Sequence, residues 1–216
     1  MAWTCADLRG LFDLGGFGMR LIITRHGETE ENRAGIIQGH LPGVLSDLGK
    51  EQAQRLAKKL KDEKIDLIIS SDLARAADTA KEVARFHDCE ILFDERLRER
   101  YLGSFQGKRK KEDLRIGKDK LIADVIKGDD VETNEEILAR AKDFLNYILT
   151  LDFENILLVG HSGICKNILR HAMNCEHKDI PNLENTSISI FEIDEDKNFN
   201  EILLNCVRHL DENSEI

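Results

Sequence analysis

The stretches RLIITRHGETEEN (Arg20 to Asn32) and NILLVGHSG (Asn155 to Gly163) share one design: a short run of Ile, Leu and Val that ends at a histidine beside a glycine. A run of this length without polar alternation predicts a strand buried on both faces, as in a parallel sheet covered by helices. The same reading extends outward to IDLIIS (Ile65 to Ser70) and to Glu90–Phe93, and then to a closing pair, Ser187–Ile193 and Phe199–Leu204, joined by the polar turn EDKN. Helices are predicted between the strands. Ser46 can cap one over about Leu48–Asp62, whose Ala53, Leu56, Ala57 and Leu60 recur at helical spacing. Others are predicted near Asp72–Phe86 and Gly163–Met173. The expected fold is α/β: a three-layer sandwich with a mostly parallel central sheet, helices on both faces and an antiparallel edge formed by the last two strands.

Two regions break this rhythm. Met1 to Gly18 precedes the first strand and reads as an extension outside the core, leaving a catalytic domain over residues 19–216. Gly107 to Leu149 holds no strand-like run and reads as a helical insertion or cap, its second half amphipathic through Ile137, Leu138, Ala141, Leu145 and Ile148.

Composition narrows the function. The 216 residues are 41% hydrophobic and 33% charged, which is the make-up of a globular chain able to bury a full core. The net charge of −10 argues against nucleic acid and against an anionic membrane as partners. From Glu192 to Ile216, however, eight acidic residues face two basic ones, so the last 25 residues hold −6 of that total and the remainder is nearer balance. Five scattered cysteines without a CxxC pair predict reduced thiols, and the N-terminus lacks the features of a signal peptide. The expected location is therefore cytoplasmic.

In open α/β sheets ligands bind beyond the carboxyl ends of the strands. Those ends carry Arg25 and His26, then Ser70 and Ser71 with Arg75 just beyond, then Glu99 after the third strand, and His161, Ser162 and Gly163 after the fourth. Taken singly, each has an ordinary structural explanation. Their convergence on one edge suits phosphoryl transfer. Guanidinium forks match phosphate oxygens, neutral imidazole can attack phosphorus, and a carboxylate can protonate the leaving oxygen. A second histidine can stabilise developing charge, and helix N-termini add amide donors. The histidines lack HxH or HExxH spacing, so no metal or other cofactor is called for.

On RHGETEEN (Arg25 to Asn32), LSDLGKEQA (Leu45 to Ala53), SSDLARAADTA (Ser70 to Ala80), LRER (Leu97 to Arg100) and GHSG (Gly160 to Gly163), in this order, the chain resembles the histidine phosphatase superfamily, with its phosphoglycerate-mutase-like fold. The resemblance implies His26 as phosphoacceptor nucleophile, Arg25 and Arg75 as phosphoryl clamps with His161, and Glu99 as proton donor. It further implies substrate contacts from Asn32, Gln38, Ser162 and the Gly163 amide, with Thr29 supporting the loop. Glu31 stands where cofactor-dependent mutases have tryptophan, and IIQGHLPG replaces their GWxD loop, which favours the phosphatase branch. That branch includes broad-specificity, fructose-2,6-bisphosphatase-type and α-ribazole phosphatases. Gln106 departs from the glutamate common in the EG(K/R) step. The implied activity is a metal-independent phosphomonoesterase acting on a small phosphorylated metabolite through phosphohistidine. The alternatives are a phosphomutase and an inactive phospho-ligand-binding protein, and a homodimer is possible. Residues 108–120 have a local balance of +4, and Lys108 heads a basic run that could attract a second anionic group of the substrate.

Overall fold

The computed structural model describes residues 18–114 and 126–211. The expected extension before Gly18 and the basic residues Arg115, Lys118 and Lys120 lie outside them. Six strands form one sheet: β1 (Met19–Arg25), β2 (Leu67–Ser70), β3 (Glu90–Phe93), β4 (Asn155–Gly160), β5 (Ile188–Ile193) and β6 (Phe199–Cys206), in the order β3-β2-β4-β1-β5-β6. The first four are mutually parallel, while β5 runs antiparallel to β1 and β6 antiparallel to β5. The expected six strands and antiparallel edge are therefore present.

The continuous apolar runs serve both faces of the sheet. Leu21, Ile23, Ile69, Leu158 and Phe191 pack in one cluster, while Ile22, Ile68, Leu157, Val159 and Ile190 pack in another. The second cluster is closed by α2 (Asp47–Leu60) and α3 (Ala74–Ala84) through Leu56, Leu60, Ala76, Ala80 and Val83. A one-turn helix, α1 (Glu30–Arg33), leads out of β1. The first cluster is closed by α4 (Asn134–Ile148) and α5 (Ser162–Ala172). The apolar stripe predicted within the insertion is thus the core face of α4, where Ile137, Ala141, Leu145 and Ile148 are buried together with Phe144, while Leu138, also expected there, is only half-buried. This half of the 107–149 stretch is a layer of the sandwich, because its stripe is matched by α5 and the sheet.

Ser46 caps α2 as predicted, its hydroxyl accepting from the Gly49 amide at 3.0 Å. Cys89, Cys165 and Cys175 are free thiols. Among the described residues no helix is long and apolar enough to cross a membrane.

Candidate active site

Strand register brings the two histidines together. In the parallel pair β1–β4, Arg25 is opposite Gly160, so the next residue of each strand, His26 and His161, emerges beside the other. Their ring centroids are 5.0 Å apart. Ser70 of β2 is opposite Val159, which places Ser71 against His161.

Each ring is held in a defined orientation. His26 Nδ1 lies 2.7 Å from the Gly27 carbonyl and must donate to it, because a carbonyl has no hydrogen to give. His26 Nε2 accepts from Arg75 Nε at 3.2 Å. The ring is therefore neutral, with its lone pair on Nε2. Burial, followed by the charges of Arg25 and Arg75, keeps its pKa well below the ordinary histidine value. His161, fully buried, has Nε2 at 2.9 Å from Ser71 Oγ. We assign the Ser71 hydroxyl hydrogen to Nε2, with Oγ itself accepting from the Leu73 amide. This leaves the hydrogen of a neutral His161 on Nδ1, a buried atom with no protein partner. Burial, Arg75 and His26 keep this ring neutral too.

The arginines differ. Arg25 donates from Nη1 to the Leu183 carbonyl at 2.7 Å, while its buried Nε–H has no protein partner. Arg75 is almost wholly buried. Its donors reach His26 Nε2 and the carbonyls of Gly39, Leu41 and Pro42. Burial lowers its pKa to about 10, with Glu99 opposing the shift, so it stays charged at neutral pH. Burial likewise lowers that of Arg25, against the pull of Glu99 and Glu184.

Glu99 follows a 3-10 turn after β3. Its Oε1 accepts from the Arg100 amide at 2.9 Å and its Oε2 from the Gly163 amide at 3.2 Å, in the first turn of α5. The Gly163 amide, expected to face phosphate, thus holds the carboxylate. A Cβ on Gly163 would come within 2.2 Å of Glu99 Oε1, which accounts for glycine at this position.

The loop from Gly27 to Gly43 closes another side. Asn32 and Thr29 form a reciprocal capping box, so Thr29 supports the loop as expected and Asn32 Oδ1 is committed to it. The Asn32 side-chain Nδ2 has no part in the box. Gln38 Nε2 donates to Thr29 Oγ1 at 2.9 Å, and its buried Oε1 has no partner. Ser162 opens α5 half-buried.

Lys108 is not brought in. It is exposed, with its ammonium 5.0 Å from the Phe105 ring centroid. Two residues on, Lys110 is half-buried, and burial, followed by the charge of Arg25, lowers its pKa against the pull of Glu99. The reason is backbone pairing: Ile36 bridges Arg109, and Lys110 donates to the Gly35 carbonyl at 2.9 Å. A run of four consecutive basic residues gives no sign of which member turns inward.

Other contributors escaped the sequence reading. His40 Nε2 donates to the Glu99 carbonyl at 2.8 Å, and Asn185 Nδ2 donates to the His26 carbonyl at 2.8 Å. Among the described residues no three His, Cys, Asp or Glu side chains gather as a metal site.

Residues 21–205 match the sequence profile of the histidine phosphatase superfamily (branch 1). A phosphoglycerate mutase-like protein 4 of Arabidopsis thaliana is 33% identical over 89% of this chain and 87% of its own. A metal-independent phosphoserine phosphatase of the same plant is 33% identical over 68% of this chain and 66% of its own. Among solved structures, Bacillus stearothermophilus YhfR superposes with a TM-score of 0.80 at 27% identity, covering 89% of this chain and 100% of that one. An Entamoeba histolytica phosphoserine phosphatase bound to 3-phosphoglyceric acid gives 0.74 at 27% identity, covering 89% and 99%.

Proposed function

The chain belongs to branch 1 of the histidine phosphatase superfamily, and on that premise we propose that it is a metal-independent phosphomonoesterase working through a phosphohistidine on His26. One observation carries the reading. A buried imidazole has its Nε2 lone pair turned toward Arg75, and buried N–H groups without protein partners, Arg25 Nε and His161 Nδ1, stand on the adjoining strand ends. Unpaired buried donors cost roughly 1–3 kcal/mol each, and a phosphoryl group supplies the acceptors they lack.

In the proposed reaction His26 Nε2 attacks phosphorus as the bond to the leaving oxygen breaks. Glu99, protonated, gives its proton to that oxygen. Arg25, Arg75 and His161 hold the three equatorial oxygens, whose charge grows in the transition state. Water then attacks the phosphohistidine, the P–N bond breaks, and the proton of the water returns to Glu99.

The substrate we propose is a small phosphomonoester bearing a second anion, such as a carboxylate. Lys110 supports this. Among the described residues its half-buried ammonium has no carboxylate within ion-pair range, although burial and then the charge of Arg25 both disfavour it. Relatives named as phosphoserine phosphatases, and one structure holding 3-phosphoglyceric acid, point the same way.

The test is covalent trapping. Brief exposure to radiolabelled substrate should give an acid-labile, base-stable label that is absent in His26→Ala and indifferent to EDTA. Turnover with no label at His26 would overturn the mechanism. Release of inorganic phosphate without a bisphosphate primer separates the phosphatase from a mutase.

A further inference from the structure

Between the 3-10 turn Glu95–Leu97 and the next one at Gly103–Phe105, the chain crosses the site with no strand or helix to hold it. Its backbone groups must be paired by something else. His40 Nε2 donates to the Glu99 carbonyl, and two further side chains supply most of the other partners. Arg140, in α4, donates from Nη1 to the carbonyls of Arg96 and Arg98, each at 2.7 Å, and its Nη2 lies 3.4 Å from the Glu99 carbonyl. Glu132, just before α4, takes the other side. Its carboxylate accepts from the Tyr101 amide at 3.0 Å, and its backbone carbonyl accepts from Arg100 Nε at 2.6 Å.

The two side chains also lock each other. Arg140 Nε meets Glu132 Oε1 at 2.9 Å and Nη2 meets Oε2 at 2.7 Å, a two-pronged ion pair with side chains only 19% and 14% exposed. Such a planar fork has one geometry, unlike a surface lysine pair. Glu99 sits at the middle of the gripped segment. Among the described residues its own side chain is held by the amides of Arg100 and Gly163.

We propose that Arg140 and Glu132 are positioning residues for the proton donor: they fix the 96–101 backbone so that Glu99 meets the leaving oxygen. Their hydrogen bonds run to the 96–101 segment and to each other, and none runs to His26, Arg25, Arg75 or His161. The inference rests on the reading of Glu99 as general acid, and it makes a statement about chemistry rather than about folding alone. If the clamp loosens, protonation of the leaving group suffers while phosphoryl binding does not. Poor leaving groups depend on that proton and good ones do not.

The experiment is kcat/KM, which reports the step that expels the leaving group, across phosphomonoesters from 2,4-dinitrophenyl to simple alkyl. General acid catalysis contributes roughly 10²–10⁴-fold. Arg140→Met should therefore lose about 30-fold or more on the alkyl ester and under about 3-fold on the dinitrophenyl ester, within that general-acid range. Glu132→Gln should show the same tilt, smaller. Arg140→Lys should restore part of it by keeping the charge without the fork.

Glu99→Gln is the reference. If its losses do not grow with leaving-group basicity, the general-acid reading fails. If they do, but Arg140→Met and Glu132→Gln lose equally on every ester or not at all, the positioning inference fails. Should Arg140→Met not fold, Arg140→Lys and Glu132→Gln decide on the same criterion. Thermal melting of each variant separates lost stability from the tilt.

Discussion

Close approach of backbones sets the nucleophile at the residue scale. A Cβ on Gly49, in the first turn of α2, would lie 1.9 Å from the Glu28 carbonyl oxygen, and one on Gly27 would lie 2.5 Å from the Gly49 oxygen. The chain just after His26 therefore rests on the start of α2 with no room for a methyl group. Gly27 also donates its amide to Thr79 Oγ1 at 3.1 Å, tying the same loop to α3. Gly49→Ala must push α2 and the loop apart, and overpacking of this kind costs about 1–3 kcal/mol. The expected outcome is a lower Tm together with a fall in kcat larger than any change in KM, because the His26 ring moves with its backbone. Calorimetry and steady-state kinetics on one preparation would check both. Unchanged kcat would show that the ring is positioned by its side-chain contacts alone.

Elements whose physics is local were legible, and segments held by distant side chains were not. The strand ends were readable because β1 and β4 each carry an unbroken apolar run that stops at a polar residue, and α2 was readable from its Ser46 cap and its spacing of Ala53, Leu56, Ala57 and Leu60. The motif residues Arg25, His26, Arg75, Glu99 and His161 were expected at one edge, and strand register and loop contacts bring them there. Arg140 lies outside the apolar stripe that the sequence shows, yet it grips three carbonyls some forty residues away. Lys108 and Lys110 are indistinguishable until the bridge at Ile36 fixes which side chain turns inward.

The loop entering β5 is a similar case. Asn185 holds the His26 carbonyl, Thr186 N–H donates to the Arg25 carbonyl at 2.9 Å, and Thr186 is buried with φ +55°. No periodicity announces such a loop. Asn185→Ala would leave the His26 carbonyl without its side-chain donor, at a cost of about 1–2 kcal/mol. Urea unfolding should show that loss, and kcat should fall with it. A stability equal to that of the parent would mean that water replaces the amide.

Over the whole molecule the charge of −10 conceals a cationic site, because burial rather than net charge governs the groups that matter. His26 and His161 are held well below the usual histidine value first by burial and then by neighbouring cations, and His209, packed near Thr186, is lowered to about 4, again mainly by burial. All three shifts have the same sign. Below pH 6.5 the unfolded chain takes up protons on these rings while the folded chain resists, so folding stability is fully present above that value and declines as pH falls through the window beneath it. For a ring shifted from 6.5 to about 4, as His209 is, the loss by pH 5 is about 2 kcal/mol. The Tm should therefore drop steadily from pH 7 to pH 5. His209→Gln, which cannot titrate, should flatten part of that slope while leaving the shares of His26 and His161. A Tm independent of pH across this range would show that the rings are not held neutral, and with them the lone pair assigned to His26 Nε2 would fall.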